Sequence, residues 1–141
     1  MSQDQSESQT VSRTFPVADF LGIAFQSRSA GRVVAQLRPR PRFRNPMGTL
    51  HGGILCDLAD AAMGAAFAST LGSGESFTTL ELKINFLRPV WDSLLTAEAL
   101  VVSRGRNVGL VECKIVDEKD RLVAKAASTC MVLAGEAAKN R

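Results

Sequence analysis

A single histidine, no tyrosine, one tryptophan and three cysteines are all that 141 residues hold of the side chains most used for metals, redox work and base stacking. One histidine and no cysteine pair at ligand spacing leave no basis for a zinc site, so no metal is expected. Cys56, Cys113 and Cys130 are odd in number, match no metal signature, and read as small apolar residues in a reduced compartment. Seven Phe, one Trp and no Tyr give no stacking platform for single-stranded nucleic acid. No apolar run approaches the ~18 residues of a membrane span. The first ten residues are rich in Ser, Gln and acids, with no apolar segment of a secretory signal. These features predict a disordered tail over 1–13 and a cytoplasmic protein without membrane or nucleic-acid partners.

The chain is long enough for one domain, and its 45% hydrophobic content can build a core. The net charge of +3 owes much to Arg38, Arg40, Arg42 and Arg44, spaced by Pro39, Pro41 and Phe43. Such a run fits a solvated loop or a phosphate-bearing small molecule; it would also fit nucleic acid, were stacking residues present.

Pro16 to Ile23 predicts a short helix with Gly22 near its end. Ala24–Ser29 and Arg32–Leu37 read as strands around a turn at Gly31, and Pro39 and Pro41 open a loop to about Leu50. From Gly52 to about Thr70 the chain is Gly, Ala, Leu, Met and Phe with only Asp57 and Asp60 charged, which predicts a buried helix ended by Gly72–Gly74. Thr78–Phe86 alternates, placing Leu80, Leu82, Ile84 and Phe86 on one face. Leu94–Ser103, Gly109–Val116 and Leu122–Leu133 complete a run of antiparallel strands, their connections too short for parallel crossovers. One long helix followed by such strands is an α+β plan, a curved sheet wrapped around the helix.

The chemistry concentrates at Asn45-Pro46-Met47-Gly48-Thr49-Leu50-His51-Gly52-Gly53, followed by Asp60. A helix N-terminus has free N–H groups and a positive dipole end, which can hold a carbonyl oxygen as it becomes negative. A nearby acid can direct water at that carbonyl. Asp60 has no basic neighbour at i±3 or i±4, so either function or a structural hydrogen bond must account for it. Asp57 lies in the first turns, where the dipole favours negative charge. His51, at the helix start, is favoured as the neutral imidazole. Gly52 and Gly53 either permit close backbone packing or offer bare N–H groups to a carbonyl. Asn45 either makes a turn before Pro46 or holds a water.

Asn-x-x-Gly-Thr-x-His-Gly-Gly, with Asp nine residues after the His, resembles the PaaI-like branch of the hotdog-fold acyl-CoA thioesterases. Thr79–Pro89, Ser103-Arg104-Gly105-Arg106-Asn107 and Leu122–Ala126 are similar to the corresponding family segments, so the resemblance runs from about Phe15 to Leu133. It implies a hotdog domain over 14–135, followed by a tail over 136–141, with five or six strands around the helix. It also implies a homodimer as the smallest active unit, often a homotetramer, with the site shared between subunits: His51, Gly52 and Asn45 from one, Asp60 from the other.

The resemblance makes Asp60 the general base or nucleophile, Gly52 the oxyanion donor, Asn45 a water holder and His51 a support for the carbonyl pocket. Thr79 matches an assisting hydroxyl; strand parity leaves Thr78 as its competitor. For the coenzyme A half of the substrate, Arg106, Gly105 and Arg88 are candidates, and Arg104 beside them, with Arg106 favoured through its Ser-x-Gly-Arg context. Met63, Phe67 and residues near Leu50, Phe43 and Phe77 would shape the acyl pocket. Hydrolysis of a thioester needs no further cofactor. An acyl-CoA-binding module without turnover and an enoyl-thioester hydratase are the alternative readings.

Overall fold

A computed structural model describes residues 14–141; the tail expected over 1–13 lies outside them. The elements are helix α1 (Pro16–Leu21), strands β1 (Ala24–Ser29) and β2 (Arg32–Leu37), helix α2 (Gly52–Ala68), and strands β3 (Glu75–Phe86), β4 (Leu95–Arg104), β5 (Val108–Val116) and β6 (Leu122–Ala134). Short 3-10 turns occupy Pro41–Phe43 and Gly135–Ala138, the latter reaching into the segment expected as a C-terminal tail.

The six strands form one antiparallel sheet in the order β1-β2-β4-β5-β6-β3. Alternation decides which face each strand turns to the helix. Val33, Ala35 and Leu37 on β2, Leu95, Ala97 and Ala99 on β4, and Val111, Cys113 and Ile115 on β5 are all buried. Against them α2 buries Leu55, Leu58, Ala59, Ala62, Met63, Ala65, Ala66 and Phe67. The many alanines on both sides let helix and sheet approach closely. The pairing registers slip at four places, within β1, β3 and β4 and between β5 and β6. Such bulges bend strands and sharpen their twist, which suits a sheet curved around a helix.

Helix α2 departs from the expectation in two respects. It stops at Ala68, because Ser69 and Thr70 turn their hydroxyls onto the carbonyls of Ala66 and Phe67 at 2.6 and 2.7 Å. It is also not covered all round. Gly53, Asp57, Asp60 and Ala68 are exposed and Gly64 half-buried, one stripe at three- and four-residue spacing.

The turn between β5 and β6 is organised by Asp117. Its carboxylate accepts the backbone N–H of Lys119 and Arg121 at 2.9 and 3.0 Å and the Arg121 guanidinium at 2.8 Å. Burial pushes this carboxyl up, but those hydrogen bonds outweigh it and hold its pKa below the ordinary aspartate value. A carboxyl depressed in the folded state adds stability above its unfolded pKa of about 3.9, lost as pH falls through the lower folded value. Asp117→Asn is therefore expected to be destabilised near neutral pH and to lose less further stability than wild type on acidification below about pH 4. Urea melts at stepped pH would read this, and parallel acid limbs for the two proteins would refute it.

Candidate active site

The start of α2 is held from two sides. The N–H of Leu50 bonds the carbonyl of Val90, and that of His51 bonds the carbonyl of Phe43, both at 2.8 Å. His51 is the N-cap: its Nδ1 accepts the N–H of Gly53 at 2.9 Å. An accepting Nδ1 carries no proton, so the neutral ring keeps its proton on Nε2. Gly52 is the first helical residue and has no intrahelical acceptor for its N–H. Among the described residues no loop acceptor takes it either. The Gly53 N–H is thus spent on the cap and the Gly52 N–H before it is left open.

Asn45 builds the loop before the helix. Its Oδ1 accepts the N–H groups of Met47 and Thr49 at 3.0 and 3.1 Å, and its Nδ2 donates to the Thr49 hydroxyl at 2.8 Å. Gly48 completes that turn with φ of +89°, a conformation that favours glycine. The turn role of Asn45 is therefore filled, and one amide N–H remains for a water. Asn45, Thr49, Leu50, Gly52, Leu55, Phe86, Leu87, Arg88, Pro89 and Val90 enclose a cleft of about 430 Å³.

Asp60 sits elsewhere. Cys56, Asp57, Asp60, Thr79, Leu80, Glu81 and Leu82 surround a second cleft of about 410 Å³. Among the described residues Asp60 makes no hydrogen bond or ion pair, so the structural explanation for this carboxylate finds no partner. Partial desolvation, and after it the negative charge of Asp57, raise its pKa. Thr79 reaches this cleft through a bulge. It pairs with Cys130, while Glu81 pairs with the adjacent Thr129, so Leu80 is the extra residue. Strict alternation from Leu82 and Ile84 would have turned Thr78 inward. The bulge turns Thr79 inward instead, its hydroxyl 3.9 Å from the buried Cys130 sulfur. It also removes Leu80 from the inward face, where the alternation had placed it; Leu80 is exposed.

The two clefts do not meet within one chain. Eight residues of helix separate Gly52 from Asp60, about 12 Å of axial rise. His51 faces a third cleft, of about 280 Å³, with Arg42, Phe43, Arg44, Gly53, Ile54 and Asp57.

The candidate coenzyme A residues separate as well. Arg88 is exposed beside Gly52 in the first cleft. Arg106 is exposed on the β4–β5 turn, at the end of the sheet that holds the helix C-terminus. Gly105 shapes that turn: its N–H bonds the Val108 carbonyl at 2.9 Å, and a Cβ would come within 2.7 Å of the same oxygen. Arg104 is already engaged. It bonds Glu75 at 3.0 Å and Thr70 at 3.2 Å, contacts the Gly105 carbonyl, and lies over the Phe67 ring. It is a structural arginine, not a free cation.

Met63 and Phe67 are fully buried in the core, and Phe77, half-buried, packs edge-on against Phe67 at 5.2 Å. Of the predicted pocket residues, Leu50 reaches the Gly52 cleft. Cys113 and Cys130 are the buried apolar residues expected, burial pushing the Cys113 thiol up to about 12. Cys56 is different, half-buried beside Asp60. Sequence reasoning missed Phe86 as a cleft residue, because alternation assigned it to the core face; it stands 54% exposed against Gly52.

A family model described as the thioesterase superfamily matches residues 47–124. A 1,4-dihydroxy-2-naphthoyl-CoA hydrolase of Listeria monocytogenes is 31% identical over 112 residues, 79% of this chain and 91% of that protein. Among solved structures, the PaaI protein of the E. coli phenylacetic acid degradation operon superposes with a TM-score of 0.79 at 30% identity, covering 84% of this chain and 85% of that one. A thioesterase of Haemophilus influenzae gives a TM-score of 0.79 at 28% identity, covering 84% and 82%.

Capping by His51 carries a stability prediction of its own. His51→Ala is expected to cost about 1 kcal/mol, the usual value of an N-cap, while His51→Asn, a strong capping residue, keeps most of it. Equal losses in urea melts of the two variants would show that the cap contributes nothing.

Proposed function

Since the chain belongs to the hotdog-fold thioesterase superfamily and is a thioester hydrolase, we propose that Asp60 and the Gly52 N–H cleave an aryl or short- to medium-chain acyl-CoA across a two-subunit site. Water attacks the thioester carbonyl, the tetrahedral intermediate places its negative oxygen at the Gly52 N–H, and collapse gives the carboxylic acid and coenzyme A thiol. Asp60 takes the proton of the attacking water and returns it to the departing thiolate, or attacks the carbonyl itself, expels the thiolate and is freed when water hydrolyses the resulting anhydride. Thr79 holds the water or the carboxylate. Asn45 shapes the loop and offers its last N–H to the water. His51 fixes the first turn so that the Gly52 N–H stays open.

The observation that carries this reading is the separation of the open N–H from the acid. A general base must reach its proton at about 2.6–3.2 Å, directly or through one water, and ~12 Å of helix forbids that within one chain. A second copy of the chain would bring its own Asp60 and Thr79 to the first copy's Gly52. The edge of β3, twelve residues long and unpaired among the described residues, supports such a pairing. The sheet face turned away from the helix carries exposed Leu100, Val108, Leu110 and Met131, which suits the further association of dimers into a tetramer. Arg88, beside the Gly52 cleft, is the favoured phosphate partner of the substrate. Arg106, at the far end of its own chain, could share that role only from the other subunit.

Thiol release from short, medium, long and arylacetyl CoA thioesters tests this. Asp60→Asn is expected to lose on the order of 10²–10⁴ in rate. Gly52→Pro removes the N–H but also adds a Cβ that meets the Phe86 ring tip, so Gly52→Ala, which adds the Cβ and keeps the N–H, is its control. Proline is favoured at the first helical position, and His51 already holds the extended conformation that a following proline requires, φ −64° and ψ 135°. Gly52→Pro is expected to lose roughly 10²–10³ in kcat relative to Gly52→Ala. Because the folded pKa of Asp60 is raised, wild-type activity falls on the acid side above the ordinary aspartate value of about 3.9. Asp60→Asn turning over at the wild-type rate would end this mechanism. Tight acyl-CoA binding without thiol release would make the protein a binding module.

A further inference from the structure

Phe86 is the last residue of β3, pinned there because the next two N–H groups, of Leu87 and Arg88, both bond the Val123 carbonyl at 2.8 and 3.2 Å. It lies opposite Ala124 and on the inward parity of Leu82 and Ile84, yet α2 has already begun at this level and leaves it half uncovered. Its ring points at the helix start. A Cβ built on Gly52 would stand 2.9 Å from Cζ and 3.2 and 3.3 Å from the two Cε atoms, so the ring tip rests on the Gly52 Cα. Leu50, Leu55 and Val90 are nearly buried and make a fixed apolar floor in the same cleft. Phe86 is the large apolar side chain that touches the candidate oxyanion donor, and its ring is half exposed.

From this contact we infer that Phe86 is a specificity-determining residue: its ring walls the cleft beside Gly52 and sets how large an acyl group can lie with its carbonyl on that N–H. The inference rests on Gly52 as the carbonyl's donor. An acyl carbon attached to a carbonyl at Gly52 must pass within van der Waals reach of the ring. Small or flat groups slide along its face against Leu50 and Val90, whereas long or bulky ones displace it. Displacing the ring uncovers apolar surface, which penalises large acyl groups. The same contact explains why residue 52 has no side chain: a Cβ would occupy the space of the ring.

The test compares wild type, Phe86→Ala and Phe86→Leu, each checked by gel filtration and thermal melting. For each, kcat/KM is measured on acetyl-, hexanoyl-, decanoyl- and phenylacetyl-CoA, and Kd on the matching non-hydrolysable S-alkyl-CoA thioethers. Phe86→Ala is expected to raise the preference for decanoyl over hexanoyl by on the order of tenfold, the scale of one or two methylenes in an apolar pocket, and phenylacetyl over acetyl by less. Phe86→Leu moves the same way by less. Ratios within about twofold of wild type in both variants, whatever the absolute rates, would overturn the inference. Thioether ratios that shift while no protein releases thiol would uphold the wall and overturn hydrolysis, which separates the two failures.

Discussion

Helix α2 is pressed against the sheet on one side and left open along a narrow stripe on the other. The first turn must therefore find its hydrogen-bond partners in the loop that precedes it. Asn45 folds that loop by accepting two of its own backbone N–H groups, and His51 closes it by accepting the N–H of Gly53. The anchoring bonds from Leu50 and His51 to Val90 and Phe43 hold the helix end in place. One N–H, that of Gly52, is left open in a cleft whose floor is apolar. A capping arrangement that satisfied Gly52 as well would give a more complete helix and no place for a developing oxyanion. The cap is the structural device, and the open donor beside it is what the proposed hydrolysis uses.

The acid belongs to the same helix but not to the same cleft. Asp60 stands two turns further on, on the uncovered stripe, with its pKa raised by partial desolvation and by Asp57. Asp60 is exposed in one chain and still reached by water there, and an ionised base held ready is useful only where it meets a substrate. The long free edge of β3 and the open stripe of α2 leave room for a second copy to supply what one chain keeps apart. Arg88 and Arg106, at opposite ends of one chain, fit the same arrangement.

The helix, the six strands and the α+β plan were legible because hydrophobic alternation and a run of alanine-rich sequence are strong local signals. The site motif was legible for a different reason: its glycines, histidine and aspartate have spacings that only a helix start makes meaningful, and the family resemblance added their roles. What could not be read depends on register or on three-dimensional neighbours. No glycine or proline marks the bulge at Leu80, so simple parity set Leu80 inward and left Thr78 and Thr79 undecided. Arg104 looks like its neighbour Arg106 in sequence, and only the fold delivers Glu75, Thr70 and the Phe67 ring to it. Met63 and Phe67 are apolar residues near the motif, and nothing local distinguishes a core position from a pocket wall. Phe86 shows the reverse: its alternation is that of a core residue, and the end of the strand leaves it uncovered.

A mixing experiment between two inactive variants tests the shared site most directly. Gly52→Pro leaves one half of each site intact and Asp60→Asn leaves the other. If the two halves come from different subunits, exchange into mixed dimers rebuilds one complete site per mixed dimer, and activity recovers to about a quarter of the wild-type level at equal mixing. No recovery, with mixed dimers demonstrated by mass spectrometry of differently tagged subunits, would place Gly52 and Asp60 in one chain's chemistry and contradict the account.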